Sequence, residues 1–271
     1  MKIWDSHMHS SFSGDSESSP LEMITRAKEL HLPGITFTDH LDLDYYENPG
    51  EFDLDIPKYI EEISELAKKY SDESFQIQCG LELGLQEHLV DKHHELLETY
   101  HFQEVIGSIH QVKKEDPYYP AYLKKRTIKS AYRDYFEEVL NNIKAFHEFD
   151  TLGHLDYVKR YIIQNAGPEY DYIMSDYQDV IDEILKCLIR YDIALEINTG
   201  SIRYGFLDTN PNSEILKRYM ELGGQMVSIG ADAHKPEHIA CGFEAIPSML
   251  KNAGFISYTV FKERKPIEIP L

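Results

Sequence analysis

Cysteine is scarce in this chain and badly spaced for any work that needs it in pairs. Cys79, Cys187 and Cys241 lie far apart, are odd in number and form no Cys-x-x-Cys. That argues against a disulfide framework and against a thiolate zinc site. Positive charge is also short, with 27 Lys and Arg against 47 Asp and Glu, a formal net charge of −20. Phosphate backbones are held by clustered cations, so a nucleic-acid groove is not expected. A small phosphate ester stays open, because bound cations can reverse the local field. No run approaches the ~20 apolar residues of a membrane span, and no basic leader with an apolar stretch opens the sequence. These absences predict a soluble protein of the reducing cytoplasm, with no membrane and no nucleic-acid partner.

What is present is a regular alternation of strand and helix patterns. A length of 271 residues suits one large α/β barrel or two modest domains, and can bury a proper core. Strand-like runs are Lys2–His9, Gly34–His40, Phe75–Gly84, Glu104–Val112, Thr151–Val158, Ile193–Gly200 and Met226–His234. Amphipathic segments lie near Pro20–Leu30, Pro57–Tyr70, Glu87–Tyr100, Ile128–Phe149, Ile173–Tyr191, Ser213–Leu222 and Pro236–Ala253. Ser19-Pro20-Leu21-Glu22 supplies a cap, a proline at the first helical position and a glutamate at the third. Ile60, Ile63, Leu66 and Ala67 make one apolar helical stripe. Seven strand–helix units predict a parallel sheet closed, or nearly closed, into a barrel. No linker or low-complexity stretch divides the chain, so one domain over residues 1–271 is expected, with Tyr258–Leu271 as an extra edge or rim strand. The irregular segments Leu41–Asp55, Lys113–Arg126, Arg160–Tyr172 and Ser201–Asn212 all follow strands, which puts them on the C-terminal face where such barrels carry their sites.

The first strand ends in Asp5-Ser6-His7-Met8-His9-Ser10, and side chains two apart on a strand share a face. Paired imidazoles at a strand end can chelate a divalent ion. The second strand ends at Asp39-His40, the third carries Glu82, the fourth His110, the fifth His154, and the last Asp232 and His234. One such histidine is ordinarily a hydrogen-bonded core or rim residue. Five of seven strands ending in histidine, with a carboxylate on a sixth, point to a metal site. Glu82 sits between Leu81 and Leu83, and a buried carboxylate there is costly unless paired or coordinated. Glu82 could bridge two metals.

Asp-x-His-x-His-Ser, Thr38-Asp39-His40, the isolated Glu82, His110, Gly-His154 and Ala-Asp232-Ala-His234 together resemble the polymerase and histidinol phosphatase (PHP) superfamily. The resemblance covers nearly the whole chain, whose spacing and length are similar to the stand-alone histidinol-phosphate phosphatases of that superfamily. It implies an α/β fold, a distorted (β/α)7 TIM-like barrel, holding three divalent metal ions. Carried over, His7, His9, Glu82 and Asp232 would hold the first ion, and Glu82, His110 and His154 the second. His40, His234 and Asp15, which lies in a Ser-rich turn, would hold the third. Asp39 adjoins a ligand but points to the other face of a regular strand, which implies a supporting catalytic role behind the ligands. Ser10, closing the first motif, is a candidate substrate contact.

The proposed donors are nitrogen and oxygen only, which suits Zn²⁺, Mn²⁺ or iron. Three carboxylates give −3 against +6 from three divalent ions, a net positive pocket in an acidic protein. The implied reaction is hydrolysis of a phosphate monoester by a water that paired ions activate, most readily L-histidinol phosphate in histidine biosynthesis. Arg160 and Arg203 follow the fifth and sixth strands and are candidates for both catalysis and phosphate binding, with Lys159 less favoured. Loop tyrosines such as Tyr45, Tyr118, Tyr157 and Tyr161 could wall the pocket, and Glu115, Asp116 or Asp42 could receive a substrate ammonium group. The remaining histidines, including His93 and His238, read as surface or packing residues. Another phosphoester substrate (a nucleotide, a phosphodiester or phosphotyrosine) and a non-catalytic metal-binding module are the alternatives. An amidohydrolase would want a metal-bridging lysine on a middle strand, and none stands out.

Overall fold

Short runs buried on both faces make most of the strands of this protein. A computed structural model describes residues 2–271. The strands are β1 (Asp5–Met8), β2 (Gly34–Phe37), β3 (His40–Leu41), β4 (Gln76–Cys79), β5 (Leu81–Gly84), β6 (Val105–Ser108), β7 (Thr151–Leu152), β8 (Ala194–Asn198), β9 (Val227–Gly230), β10 (Ser257–Lys262) and β11 (Lys265–Pro270). All pairs from β1 to β9 are parallel, in the orders β1-β2-β4 and β3-β5-β6-β7-β8-β9. β2 and β3 are pieces of one run interrupted at Thr38 and Asp39, and β4 and β5 are pieces of another interrupted at Gly80. The two arcs therefore join into seven strand positions. The seam closes through a parallel bridge of Met8 with Ala233, where His9 N donates to Ala233 O at 2.8 Å and Asp232 N to His7 O at 2.8 Å. The result is a closed, distorted TIM-like barrel of parallel strands, of the kind that needs helices over its outer face.

Those helices are Pro20–Glu29, Ile56–Tyr70, Val90–Thr99, Ile128–Ala145, Gln178–Arg190, Ser213–Glu221 and Ile246–Ala253. The first starts where its sequence says, with Glu22 N donating to Ser19 Oγ and Ser19 N to Glu22 Oε2 at 2.8 Å. Ile63 of the second is fully buried in the core cluster, with Ile60, Leu66 and Ala67 packed against it.

Three elements differ from the sequence reading. The fifth strand is only Thr151–Leu152, and a helix, Val158–Ala166, fills most of the segment expected to be irregular. Tyr157–Ile163 is rich in aromatic and branched residues and reads as extended chain, yet packing makes it helical. The last helix begins at Ile246 rather than Pro236. The C-terminal tail is an antiparallel hairpin, β10 with β11, under the N-terminal end of the barrel. Trp4 N donates to Tyr258 Oη at 3.1 Å and Arg264 N to Gln103 O at 3.0 Å, so the hairpin seals the pole opposite the expected site. No helix among the described residues is long and apolar enough to cross a membrane.

Candidate metal centre

At the C-terminal pole, side chains from the strand ends turn inward around a cavity of about 490 Å³. His7 and His9 enter from β1 and the residue after it. His7 Nε2 stands 3.1 Å from His9 Nε2 and 3.1 Å from Glu82 Oε2, and His9 Nε2 stands 3.3 Å from the same oxygen and 3.4 Å from Asp232 Oδ1. On the other side of the bridging carboxylate, Glu82 Oε1 lies 2.9 Å from His154 Nε2 and 3.3 Å from His110 Nε2. Asp15 Oδ2 lies 3.0 Å from His234 Nε2 and 3.8 Å from His40 Nε2. The nine residues named from the sequence thus converge, in three groups that share Glu82 or adjoin one another.

These spacings fit cations better than they fit a hydrogen-bond network. Ligands at ~2.0–2.1 Å from one ion are about 2.9–3.4 Å apart along octahedral or tetrahedral edges. His7 and His9 present like atoms to each other at that separation, and one shared proton would satisfy only that contact. Glu82 is fully buried, and its Oε2 lies 3.0 Å from His40 Nδ1 and 3.1 Å from His7 Nε2 without the angles of a hydrogen bond to either, while His154 Nδ1 has no partner among the described residues. An orphaned buried carboxylate oxygen is expensive unless a cation meets it. Charge behaves accordingly. Burial would raise Glu82, yet His7, His40 and His110 hold it well below the carboxylate range, and His7, His9 and His234 do the same for Asp232. Asp15 is likewise held low by His40 and His234, against burial. Burial opposes charge on His40, but Glu82 and Asp15 lift it to about 9. His9 is pushed well down by burial and by His234 and His40. Without cations, protons on His7, His40 and His110 take up that negative charge, the place divalent ions would fill.

The outer ring nitrogens are tied down, which aims the inner ones. His7 Nδ1 meets Glu196 Oε1 at 2.6 Å, His110 Nδ1 meets Asp42 Oδ1 at 2.7 Å, His9 Nδ1 meets Ser13 Oγ at 3.1 Å, and His234 Nδ1 meets Asp232 O at 3.0 Å. Such partners fix tautomer and ring orientation. Glu196 also accepts from His154 N at 2.6 Å, so one carboxylate braces two of the groups. Glu196 was missed in the sequence, although Leu195-Glu196-Ile197 carries the same signal as Glu82, a carboxylate between apolar strand neighbours. Asp232 has φ of 52°, a left-handed backbone that L-residues avoid unless the surroundings impose it.

Two sequence candidates lie elsewhere. Asp39 is fully buried and accepts from Ser10 N at 2.7 Å, Ser10 Oγ at 3.0 Å, Ser13 N at 3.1 Å and Ser13 Oγ at 2.8 Å. It shapes the turn that delivers Ser13 to His9, and is not a wall of the cavity. Ser10 is used up by that bond and also lies outside the cavity, which removes it as a substrate contact. Asp5 shares a strand with the histidines but accepts from Ala231 N at 2.9 Å and Ala240 N at 3.1 Å, a structural clamp.

Arg160 and Arg203 both border the cavity. Arg203 Nη1 donates to Ala231 O at 2.8 Å and its Nε has no partner among the described residues. Lys159 turns away to Asp171 at 2.9 Å. Lys235 joins the cationic wall, and His238 lines the cavity beside it, held toward its neutral form by burial and by Arg203. Of the three acids considered for an ammonium group, only Asp116 borders the cavity, accepting from Tyr45 Oη at 2.7 Å and Tyr118 N at 2.7 Å. Asp42 is spent on His110 and Glu115 on Lys125 at 2.5 Å. The cavity is therefore bipolar, cationic beside Arg203 and Lys235 and acidic beside Asp116 and Glu51. A second cavity, of about 560 Å³, lies at the opposite pole between the hairpin and apolar side chains such as Trp4, Ile63 and Tyr258, and none of the nine residues reaches it.

The sequence model of the PHP domain family matches residues 5–200. A probable histidinol-phosphatase of Clostridium acetobutylicum is 34% identical over 250 residues, 92% of this chain and 93% of that one. The histidinol-phosphatase of Lactococcus lactis is 31% identical over 273 residues, 98% of this chain and 96% of that one. The crystal structure of the Lactococcus lactis histidinol phosphate phosphatase, complexed with zinc, L-histidinol and phosphate, matches with a TM-score of 0.89 at 29% identity, covering 98% of this chain and 99% of that one. A putative histidinol phosphatase from Listeria monocytogenes shares the fold at a TM-score of 0.78 and 19% identity.

Proposed function

The chain belongs to the PHP domain family, and from that premise we propose that it is a metal-dependent phosphatase releasing phosphate from L-histidinol phosphate in histidine biosynthesis. One observation carries the reading. Nine nitrogen- and oxygen-donor side chains converge at one pole, six of them on the wall of a cavity that carries both signs of charge, in a chain similar throughout to a phosphatase whose structure contains zinc, L-histidinol and phosphate. In this reading His7, His9, Glu82 and Asp232 hold one ion, Glu82, His110 and His154 a second, and Asp15, His40 and His234 a third. The donor set suits zinc, manganese or iron. Bound divalent ions would supply acidification of an attacking water and neutralisation of phosphoryl charge.

The protein's own groups do the rest. Arg203, Arg160 and Lys235 bind the phosphoryl oxygens from the wall of the cavity. Asp116, held ready by Tyr45, receives the ammonium group at the other end. Tyr45, Tyr119, Tyr157 and Tyr161 wall the space between and exclude water. A net charge of −20 goes with a small metabolite rather than nucleic acid as partner, and the soluble biosynthetic role goes with one barrel over residues 1–271 in the cytoplasm.

The test is elemental analysis of protein purified without chelator, alongside kinetics on a panel. Histidinol phosphate should give the highest kcat/KM, above nucleotides, p-nitrophenyl phosphodiesters and phosphotyrosine peptides. A higher value on any of those overturns the substrate, and no hydrolysis by metal-replete protein overturns the enzyme. Glu82→Ala should lose metal and activity together, beyond the ~100-fold that loss of an outer partner costs.

A further inference from the structure

A one-way chain of hydrogen bonds runs along the turn and helix that follow His154. The Arg160 guanidinium contacts the Tyr161 hydroxyl, and a guanidinium can only donate. Tyr161 accepts there and gives its own proton to the Tyr157 oxygen, 3.0 Å away. Tyr157 accepts that proton, which leaves its own O–H for another acceptor. No protein group among the described residues takes it, and the side chain borders the cavity.

The phenol is held rigidly. Its ring lies 4.8 Å from that of His154 and 5.6 Å from that of His110, and Tyr161 packs edge-on against it at 4.9 Å. Arg160 is itself clasped, 4.4 Å from the Tyr161 ring and 4.6 Å from the Tyr204 ring. The Arg160 guanidinium lies 5.6 Å from the centre of the Tyr157 ring, and Tyr118, whose N donates to Asp116, packs edge-on against Tyr161 at 5.5 Å. Asp116 belongs to the acidic end of the cavity and Arg160 to the cationic end. Tyr157 thus stands at the boundary between the two, where a substrate with phosphate at one end and an ammonium group at the other must place its ester oxygen.

We propose that Tyr157 is a catalytic residue whose hydroxyl donates a hydrogen bond to the ester oxygen as the phosphorus–oxygen bond breaks, with Tyr161 and Arg160 as positioning residues behind it. The inference rests on the phosphatase reading above. Water oxygen forms the new bond to phosphorus, the electrons of the broken bond stay with the ester oxygen, and a proton from the water completes the alcohol. Tyr157 keeps its own proton and stabilises the charge that grows on the departing oxygen. Such a donor is stronger in the transition state than in the ground state, and the chain behind it polarises it further.

The experiment compares Tyr157→Phe with the wild type on histidinol phosphate, a poor alkoxide leaving group, and on p-nitrophenyl phosphate, whose leaving oxygen needs no help. Metal content should be unchanged. On histidinol phosphate kcat should fall about 100-fold with KM nearly constant, while on the aryl ester it should fall less than about threefold. Equal losses on both esters, or no loss on the alkyl ester, overturn the proposal. Tyr161→Phe should show a smaller loss with the same preference, and it carries the test if the Tyr157 variant does not fold. Should the wild type favour a different alkyl phosphate, the substrate reading alone fails, and the same comparison is made on that ester.

Discussion

Glu82 and Glu196 pose one physical problem with two solutions. Each is a fully or almost fully buried carboxylate on an apolar strand. Glu196 is answered by protein donors, at 2.6 Å from both His7 Nδ1 and His154 N. Glu82 keeps an oxygen with no hydrogen bond among the described residues, which is why it reads as a bridge between cations. Glu104, just before β6, is a third case. It is fully buried, accepts from Thr151 Oγ1 at 2.9 Å and leaves Oε2 unmet, so burial pushes its carboxyl up to about 8. A folded-state value above the unfolded ~4.3 means the native state holds an extra proton between those limits, so this group's contribution to stability is lost as pH climbs from about 4.3 to 8. Glu104→Gln keeps an acceptor for Thr151 and does not titrate. Thermal unfolding from pH 5 to 9 should therefore decline less steeply in Glu104→Gln than in the wild type, and parallel curves would clear Glu104 of the effect.

At the scale of elements, β5 shows how a strand's small residues serve the site. Gly80 and Gly84 flank Glu82 on its own face of the strand. In the fold, a Cβ at Gly84 would collide with the Asp42 side chain, and Asp42 is what orients His110. Glycine here makes room for the brace behind a candidate ligand. Gly84→Ala should cost about 1–3 kcal/mol in urea unfolding and lower the metal content, because displaced Asp42 releases His110. Unaltered metal stoichiometry would show that Asp42 can move without consequence. Packing also explains the helix Val158–Ala166. Val158 and Ile162 are fully buried and Tyr161 nearly so, which overrides the extended preference of that sequence and brings Arg160 to the cavity.

Across the whole molecule, the candidate ligands come from positions 7 to 234 and meet where the barrel seam closes between His7, His9, Asp232 and Ala233. Cations bound there would tie the first strand to the last. A ligand present at ~1,000 times its Kd stabilises by about 4 kcal/mol, or roughly 10 °C in a chain this long. Removing metal with a strong chelator should lower the melting temperature by about that much, and added zinc should restore it. A melting temperature indifferent to chelation would place the cations outside the stabilising frame.

Much of this was legible in the chain itself. Alternating strand and helix patterns determine a parallel barrel, because parallel strands need long crossovers that only helices fill compactly. The rule that strand ends carry the site locates His7, His9, His40, Glu82, His110, His154, Asp232 and His234 from local pattern alone. Periodicity says nothing of partners far along the chain. Only the closed barrel decided that Glu196 reaches His7, that Asp39 turns into the Ser10–Ser13 loop, that Lys159 leaves and His238 arrives, and that Tyr157 stands between the two ends of the cavity. Those outcomes depend on side-chain direction and on which surfaces face each other after closure, quantities that no segment contains by itself.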